Sequence, residues 1–367
     1  MLREAYVEVK VGSGSAWILS SRLSDLGTID ALFFDCDGVL VDVRDSYDAA
    51  IIETVRLVSE RLLGRELPKD VPSRRNILDL KRSGGFNNDW HVSYALLLGI
   101  YAYYPKAPSS TKTSNPSSPV QNSWQSVDSY MTSLAKKADP SGIKSIERIL
   151  LTDGYGVSLG HAKKILGYPV EASIVGRVFD EIFYGRELFT HKFGLEPEYY
   201  SGRGLVELES PAVTKDTLDK LAAKIGVERF GIISGRDRAS ADKTLSGLMT
   251  SFVERNLIFL LVDPDHSGRG RVVGPFLNKP DPKILFNAVR GLSGFRYMVY
   301  VGDSAEDLLM VRLANQTLPK FLFIGVYGLT NFKDETCTYF MDNGADGVIS
   351  SVNDLPTLLE TIGGTRQ

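Results

Sequence analysis

Apolar residues in this chain follow two textures. From about residue 29 to 42, and again from about 210 to the end, short apolar runs are interleaved with helical stripes. Between 43 and 209 the texture is helical. The first run, Ala31-Leu32-Phe33-Phe34, reads as a short buried strand. Leu218, Leu221, Ala222 and Ile225 then make a helix stripe. Strand candidates follow at Phe230–Ile233, Leu257–Val262, Tyr297–Val301, Phe321–Ile324 and Gly347–Ile349. Strands alternating with helices predict an α/β fold, a parallel sheet with helices on both faces. Ligands of such sheets bind beyond the carboxyl ends of the strands. If the first strand pairs with the later ones, residues 43–209 are an insertion beside those ends, a candidate lid.

Within the insertion, Ile51, Val55, Val58 and Leu62 recur at helical spacing behind Ser46, and Gly64 suits the stop. Residues 105–125 are rich in Ser, Thr, Pro and Asn and read as a mobile loop. Residues 1–28 form an extension in which Val7, Val9 and Val11 alternate with polar residues, an edge-strand pattern ahead of the turn signal Gly12-Ser13-Gly14-Ser15.

A length of 367 residues suits two domains or one with a large insertion. Hydrophobic residues at 43% and charged residues at 24% are ordinary for a globular chain. A net charge of −3, with no dense Lys/Arg cluster, argues against a nucleic-acid partner. Two cysteines, Cys36 and Cys337, make no disulfide framework, and Cys36 reads as a small buried apolar residue. No basic start followed by a long apolar core opens the sequence. The apolar runs are too short for a bilayer. A cytoplasmic location without membrane partners is the expectation.

The first strand ends in Asp35-Cys36-Asp37-Gly38. Residues i and i+2 of a strand share a side, so both carboxylates start near one point. They repel when both are ionised, which calls for a cation between them or a proton on one. Ser234, Lys279, and Asp303 with Asp307 also fall at or near predicted strand ends. Each alone has a bland reading: a turn serine, a surface lysine, or carboxylates at a helix start. Their order along the chain makes coincidence a poor account.

The set resembles the haloacid dehalogenase superfamily of phosphotransfer enzymes, in its phosphoglycolate phosphatase and β-phosphoglucomutase-like branch. The matching motifs are Phe34-Asp35-Cys36-Asp37-Gly38-Val39, Ile233-Ser234-Gly235-Arg236, Asn278-Lys279-Pro280-Asp281-Pro282 and Gly302-Asp303-Ser304-Ala305-Glu306-Asp307. The resemblance implies a Rossmann-like core over 29–42 and 210–367 and a mainly α-helical cap over 43–209. It implies Mg²⁺ as cofactor, held by Asp35, Asp303 and the backbone carbonyl of Asp37, with Asp307 orienting a ligand or water. Asp35 would be the nucleophile, forming an aspartyl-phosphate. Asp37 would protonate the leaving group and then deprotonate water. Ser234 and Gly235 would hold the phosphoryl group, and Lys279 would pair with it and with Asp35.

Asp37 and the acidic fourth motif argue against dehalogenation, and transport ATPases of this superfamily carry Thr where Asp37 stands. The resemblance therefore points to phosphomonoester hydrolysis of a small phosphorylated metabolite. A phosphomutase of the same superfamily and a non-catalytic binding protein on this scaffold are the alternatives. In the cap, Lys81-Arg82-Ser83-Gly84-Gly85-Phe86-Asn87-Asn88-Asp89-Trp90 matches a Gly-Gly-Phe-Asn-Asn-Asp-Trp run found in a small subgroup of the capped phosphatases. Asn87, Asn88 and Asp89 are candidate specificity residues. Equally, the segment reads as a helix start with Asn87 or Asn88 as cap. Arg74, Arg75, Lys81 and Arg82 are candidates for an anionic substrate tail, or surface residues.

Overall fold

The computed structural model describes residues 5–12, 14–64, 66–103, 124–261, 277–292 and 294–364. The loop expected at 105–125 lies almost wholly outside them. The described chain separates into two compact units, one of residues 1–45 with 208–367 and one of 46–207.

The first unit is built on a sheet of β1 (Tyr6–Val11), β2 (Gly14–Leu19), β3 (Ala31–Phe34), β6 (Phe230–Asp237), β7 (Leu257–Leu261), β8 (Met298–Gly302), β9 (Phe321–Val326) and β10 (Gly347–Ile349), in the order β1-β2-β10-β9-β8-β3-β6-β7. From β10 to β7 neighbouring strands run parallel. The α/β architecture expected from the alternating runs is therefore present. It is completed by an antiparallel edge hairpin, β1 with β2. The Val7–Val11 alternation is that edge strand, and Tyr6 fastens it by donating from its hydroxyl to the Ala345 carbonyl at 2.6 Å. Two residues on each side of the insertion, β4 (Val41–Asp42) and β5 (Ser210–Pro211), pair as a short antiparallel ribbon.

The strand period of two explains why β3 carries no polar residue. Ala31 and Phe33 face one apolar layer with Ile284, Leu285, Leu308, Met310 and Phe340. Leu32, Phe34 and then Cys36 face the other, with Leu218, Leu221, Leu355 and Leu358. A strand covered by helices on both sides must be apolar at every position. Polar side chains can start only where the strand stops, at Asp35.

The second unit is helical, with helices Tyr47–Arg61, Arg74–Arg82, Asp89–Tyr103, Trp124–Lys137, Ile143–Thr152, Gly156–Leu166 and Ile174–Phe193. Asp89–Tyr103 is buried on every side from Val92 to Ala102, as expected of a helix apolar all round. It forms the axis of this unit's core. Gly99 lets the next helix close in, since a Cβ there would stand 2.6 Å from Met131 Sδ. Among the described residues, no helix is long and apolar enough to cross a membrane.

Ile174–Phe193 is broken at Gly185, where φ is 69° and ψ 170°. This region is open almost only to glycine. A Cβ at Gly185 would also stand 2.2 Å from the Gly204 backbone nitrogen. Gly185→Ala should therefore destabilise the protein by about 1–3 kcal/mol or more. Gly160→Ala, at an exposed helical position with open space around it, should stabilise by up to about 1 kcal/mol. Opposite shifts in urea midpoint are expected; a neutral Gly185→Ala would show that the break is not enforced by backbone geometry.

Candidate active site

The site lies at the carboxyl ends of β3, β6 and β8. Asp35 prolongs β3 by one residue, its N–H donating to the Val301 carbonyl at 2.8 Å. The chain then turns at once. The N–H groups of Leu40 and Val41 donate to the Cys36 carbonyl at 2.8 and 2.9 Å, and Gly38 takes a φ of 68°. A side chain at Gly38 would fail twice: it would need a left-handed backbone, and its Cβ would fall 1.9 Å from Asp303 Oδ2. Gly302 does the same for Asp307, whose Oδ2 lies 2.5 Å from where a Cβ would stand. The two glycines allow carboxylates to approach the backbone closely.

Lys279 is almost fully buried, and its Nζ lies 2.8 Å from both Asp35 Oδ2 and Asp307 Oδ1. It also stands 5.4 Å above the centre of the Tyr300 ring, whose hydroxyl donates to the Ile233 carbonyl at 2.8 Å. Asp307 uses its other oxygen at the helix Ala305–Thr317. Oδ2 accepts the Ser304 N–H at 3.2 Å, while Ser304 Oγ accepts the Asp307 N–H at the same distance. The two readings of this residue, helix-start carboxylate and site residue, both hold, one on each oxygen.

Asp35, Asp303 and Asp307 each present one oxygen within 4.8 Å of the others. Burial raises the Asp35 carboxyl to about 6, with Asp307 and Asp37 adding to it and Lys279 opposing. Desolvation, then Asp35 and Asp307, push Asp303 well above the usual carboxylate range. Burial works against the Lys279 charge, yet Asp307 and Asp35 hold its ammonium well above the ordinary lysine value. One ammonium thus serves three carboxylates, and the cluster is short of positive charge. The donor set is all oxygen, so it fits a hard divalent cation such as Mg²⁺.

Ser234 is buried on β6. Its Oγ accepts the Arg236 N–H at 3.2 Å, leaving the hydroxyl proton available to donate. Gly235 is exposed, with open space where a side chain would be. The Asp37 side chain stands apart from the three clustered carboxylates and takes an ion pair from Arg236 Nη1 at 2.6 Å. Sequence reasoning gave no role to Arg236, Glu209 or Tyr300. Arg236 belongs to the second motif, but burial of its charge has no sequence signal.

In the helical unit, Asn88 Oδ1 accepts the Trp90 N–H at 2.9 Å and starts the helix Asp89–Tyr103. Asp89 pairs with Lys81 at 2.9 Å and Arg75 with Asp79 at 2.9 Å. Trp90 is part-buried, its indole N–H donating to Asp180 Oδ1 at 3.1 Å. Phe86 is core, Asn87 is exposed, and Gly85 lies where a Cβ would meet the Asp139 carbonyl at 2.7 Å. Asn88 and Asp89 thus have local structural work, while Asn87 is turned to solvent.

No protein-family model matches the sequence, and no curated protein matches it. Solved structures do. Phosphatase Tt82 from Thermococcus thioreducens is 22% identical, with a TM-score of 0.51 over 91% of this chain and 99% of that one. A structural-genomics target designated ZR25 is 16% identical, with a TM-score of 0.55 over 91% and 99%. These likenesses show the fold. It is the α/β fold, with a helical unit set into the chain after the first central strand, described above.

The charge shortage gives a direct test of Lys279. Lys279→Ala would leave buried carboxylates without their counter-ion, a loss of about 3–5 kcal/mol. A carboxyl raised in the folded state takes up a proton as pH falls, so stability contributed against it is lost as pH rises through about 6. The penalty should be largest near about pH 8 and shrink toward about pH 5. Chemical denaturation at both pH values checks this, and equal losses would contradict it.

Proposed function

We propose that this protein is a Mg²⁺-dependent phosphomonoester hydrolase that acts on a small phosphorylated metabolite through an aspartyl-phosphate on Asp35. The observation that carries the reading is Lys279 Nζ at 2.8 Å from Asp35 and Asp307, residues of three separate motifs meeting in a cluster short of positive charge. Carboxyls raised by burial and held by one specific charge partner are the arrangement in which a nucleophile and its acid–base partner are tuned.

Asp35 and Asp303, with the Asp37 backbone carbonyl, would hold the cation, with Asp307 beside them. When bound, it supplies the positive charge that lets an anionic phosphoester approach carboxylates. Ser234 donates to a phosphoryl oxygen and Lys279 offsets its charge, so the phosphorus is held in line with Asp35. Asp35 attacks phosphorus. The ester P–O bond breaks toward the leaving oxygen, which takes a proton from Asp37. Water then attacks the aspartyl-phosphate, Asp37 takes its proton, and Asp35 departs as a carboxylate with phosphate released.

Hydrolysis of p-nitrophenyl phosphate by the purified protein with Mg²⁺ tests the reading. Asp35→Asn should abolish turnover with the fold intact by circular dichroism, and excess chelator should stop the wild type. Full activity in chelator, or an active Asp35→Asn, would refute it. A second readout is independent of turnover. Mg²⁺ should raise the melting temperature near about pH 8 and less near about pH 5, because protons and metal compete for raised carboxylates. A pH-independent shift, or none, would count against this metal site.

A further inference from the structure

Arg236 follows Ser234 and Gly235 on β6, and the reaction outlined above gives it no part. Its side chain is 0% exposed, as is that of Glu209, although arginine and glutamate are seldom fully buried unless paired. Nη2 is ion-paired with Glu209 Oε2 and donates to Thr244 Oγ1 at 3.3 Å. Thr244 Oγ1 in turn donates to the same glutamate oxygen at 3.1 Å. Nη1 donates to Asp37 Oδ1 at 2.6 Å, and the Asp37 side chain is 25% exposed. A buried, mutually neutralised pair is therefore built against one oxygen of a half-buried carboxyl.

We propose that Arg236, clamped by Glu209 and Thr244, is a positioning residue that fixes Asp37 for proton exchange with the leaving-group oxygen. A guanidinium is planar and rigid. With Nη2 fixed by Glu209 and Thr244, Nη1 cannot move independently, and its bond to Oδ1 sets the orientation of the Asp37 carboxyl. Among the described residues, Asp37 Oδ2 makes no hydrogen bond, and that oxygen is left for the transferred proton. Glu209 already balances the guanidinium, so the contact serves as an anchor. A lysine, as a point charge on a flexible stem, could not bridge both carboxylates with the same geometry. The inference rests on the phosphatase reading and deepens it by adding residues to the handling of the leaving group.

The test compares phenyl phosphate, whose leaving oxygen needs a proton, with 2,4-dinitrophenyl phosphate, whose leaving oxygen does not. The value of kcat/KM reports steps up to transfer onto Asp35. Arg236→Gln should lower it about 10- to 100-fold for phenyl phosphate and less than about threefold for the dinitrophenyl ester. Arg236→Lys should recover part of the loss. The paired variant Arg236→Gln with Glu209→Gln removes both buried charges together, which protects folding, and should show the same split. Thr244→Val loosens the clamp without changing charge and should show a smaller split in the same direction. Equal losses on both esters, or no loss, in variants that melt like wild type would overturn the proposal. An inactive wild type would bring down the phosphatase reading, and this inference with it. An active wild type whose variants show no split brings down the inference alone.

Discussion

The ammonium of Lys279 is the contact on which the rest of the site depends. Asp35 and Asp307 come from chain segments far apart in sequence, and both are withdrawn from water. Burying two carboxylates without an opposite charge would be costly. Lys279 holds them at equal distances, and the glycines at 38 and 302 let the backbone stand close enough for Asp303 and Asp307 to enter the same space. The arrangement still has fewer positive than negative groups. That imbalance, in a donor set that is all oxygen, suits a hard divalent cation.

The second buried ion cluster is built on a matched pair. Arg236 and Glu209 neutralise each other out of contact with water, and Asp37 meets the pair from the side. The two clusters stand at neighbouring strand ends but differ in charge: the first is short of positive charge, while the guanidinium of the second is matched by Glu209. Asp35 and Asp37, two residues apart in one strand-end turn, thus meet different electrostatic surroundings.

The Gly-Gly-Phe-Asn-Asn-Asp-Trp segment is an example of one sequence signal with two physical uses. Gly85 is demanded by close backbone approach, Phe86 by the core, and Asn88 by the start of an entirely buried helix. Those needs alone account for most of the run. Asn87 is the member whose identity no contact among the described residues accounts for.

What the sequence determined by itself was local and periodic. Apolar runs covered on both faces read as central strands, and carboxylates directly after them had to lie at strand ends, because a doubly covered strand admits no charge before it stops. Asp35 and Asp303 were legible for that reason, and Lys279 and Asp307 through the motifs they belong to. Tertiary structure alone decided which charges share a partner. Nothing in the spacing of Glu209, Arg236 and Thr244 marks them as a buried clamp, since the burial of a charge depends on helices and strands supplied from elsewhere in the chain. The same holds for residues 7–11, whose alternation announced an edge strand but not which strand it pairs with. Pairing partners are set by packing over long sequence distances, and only the folded chain brings those distances to contact.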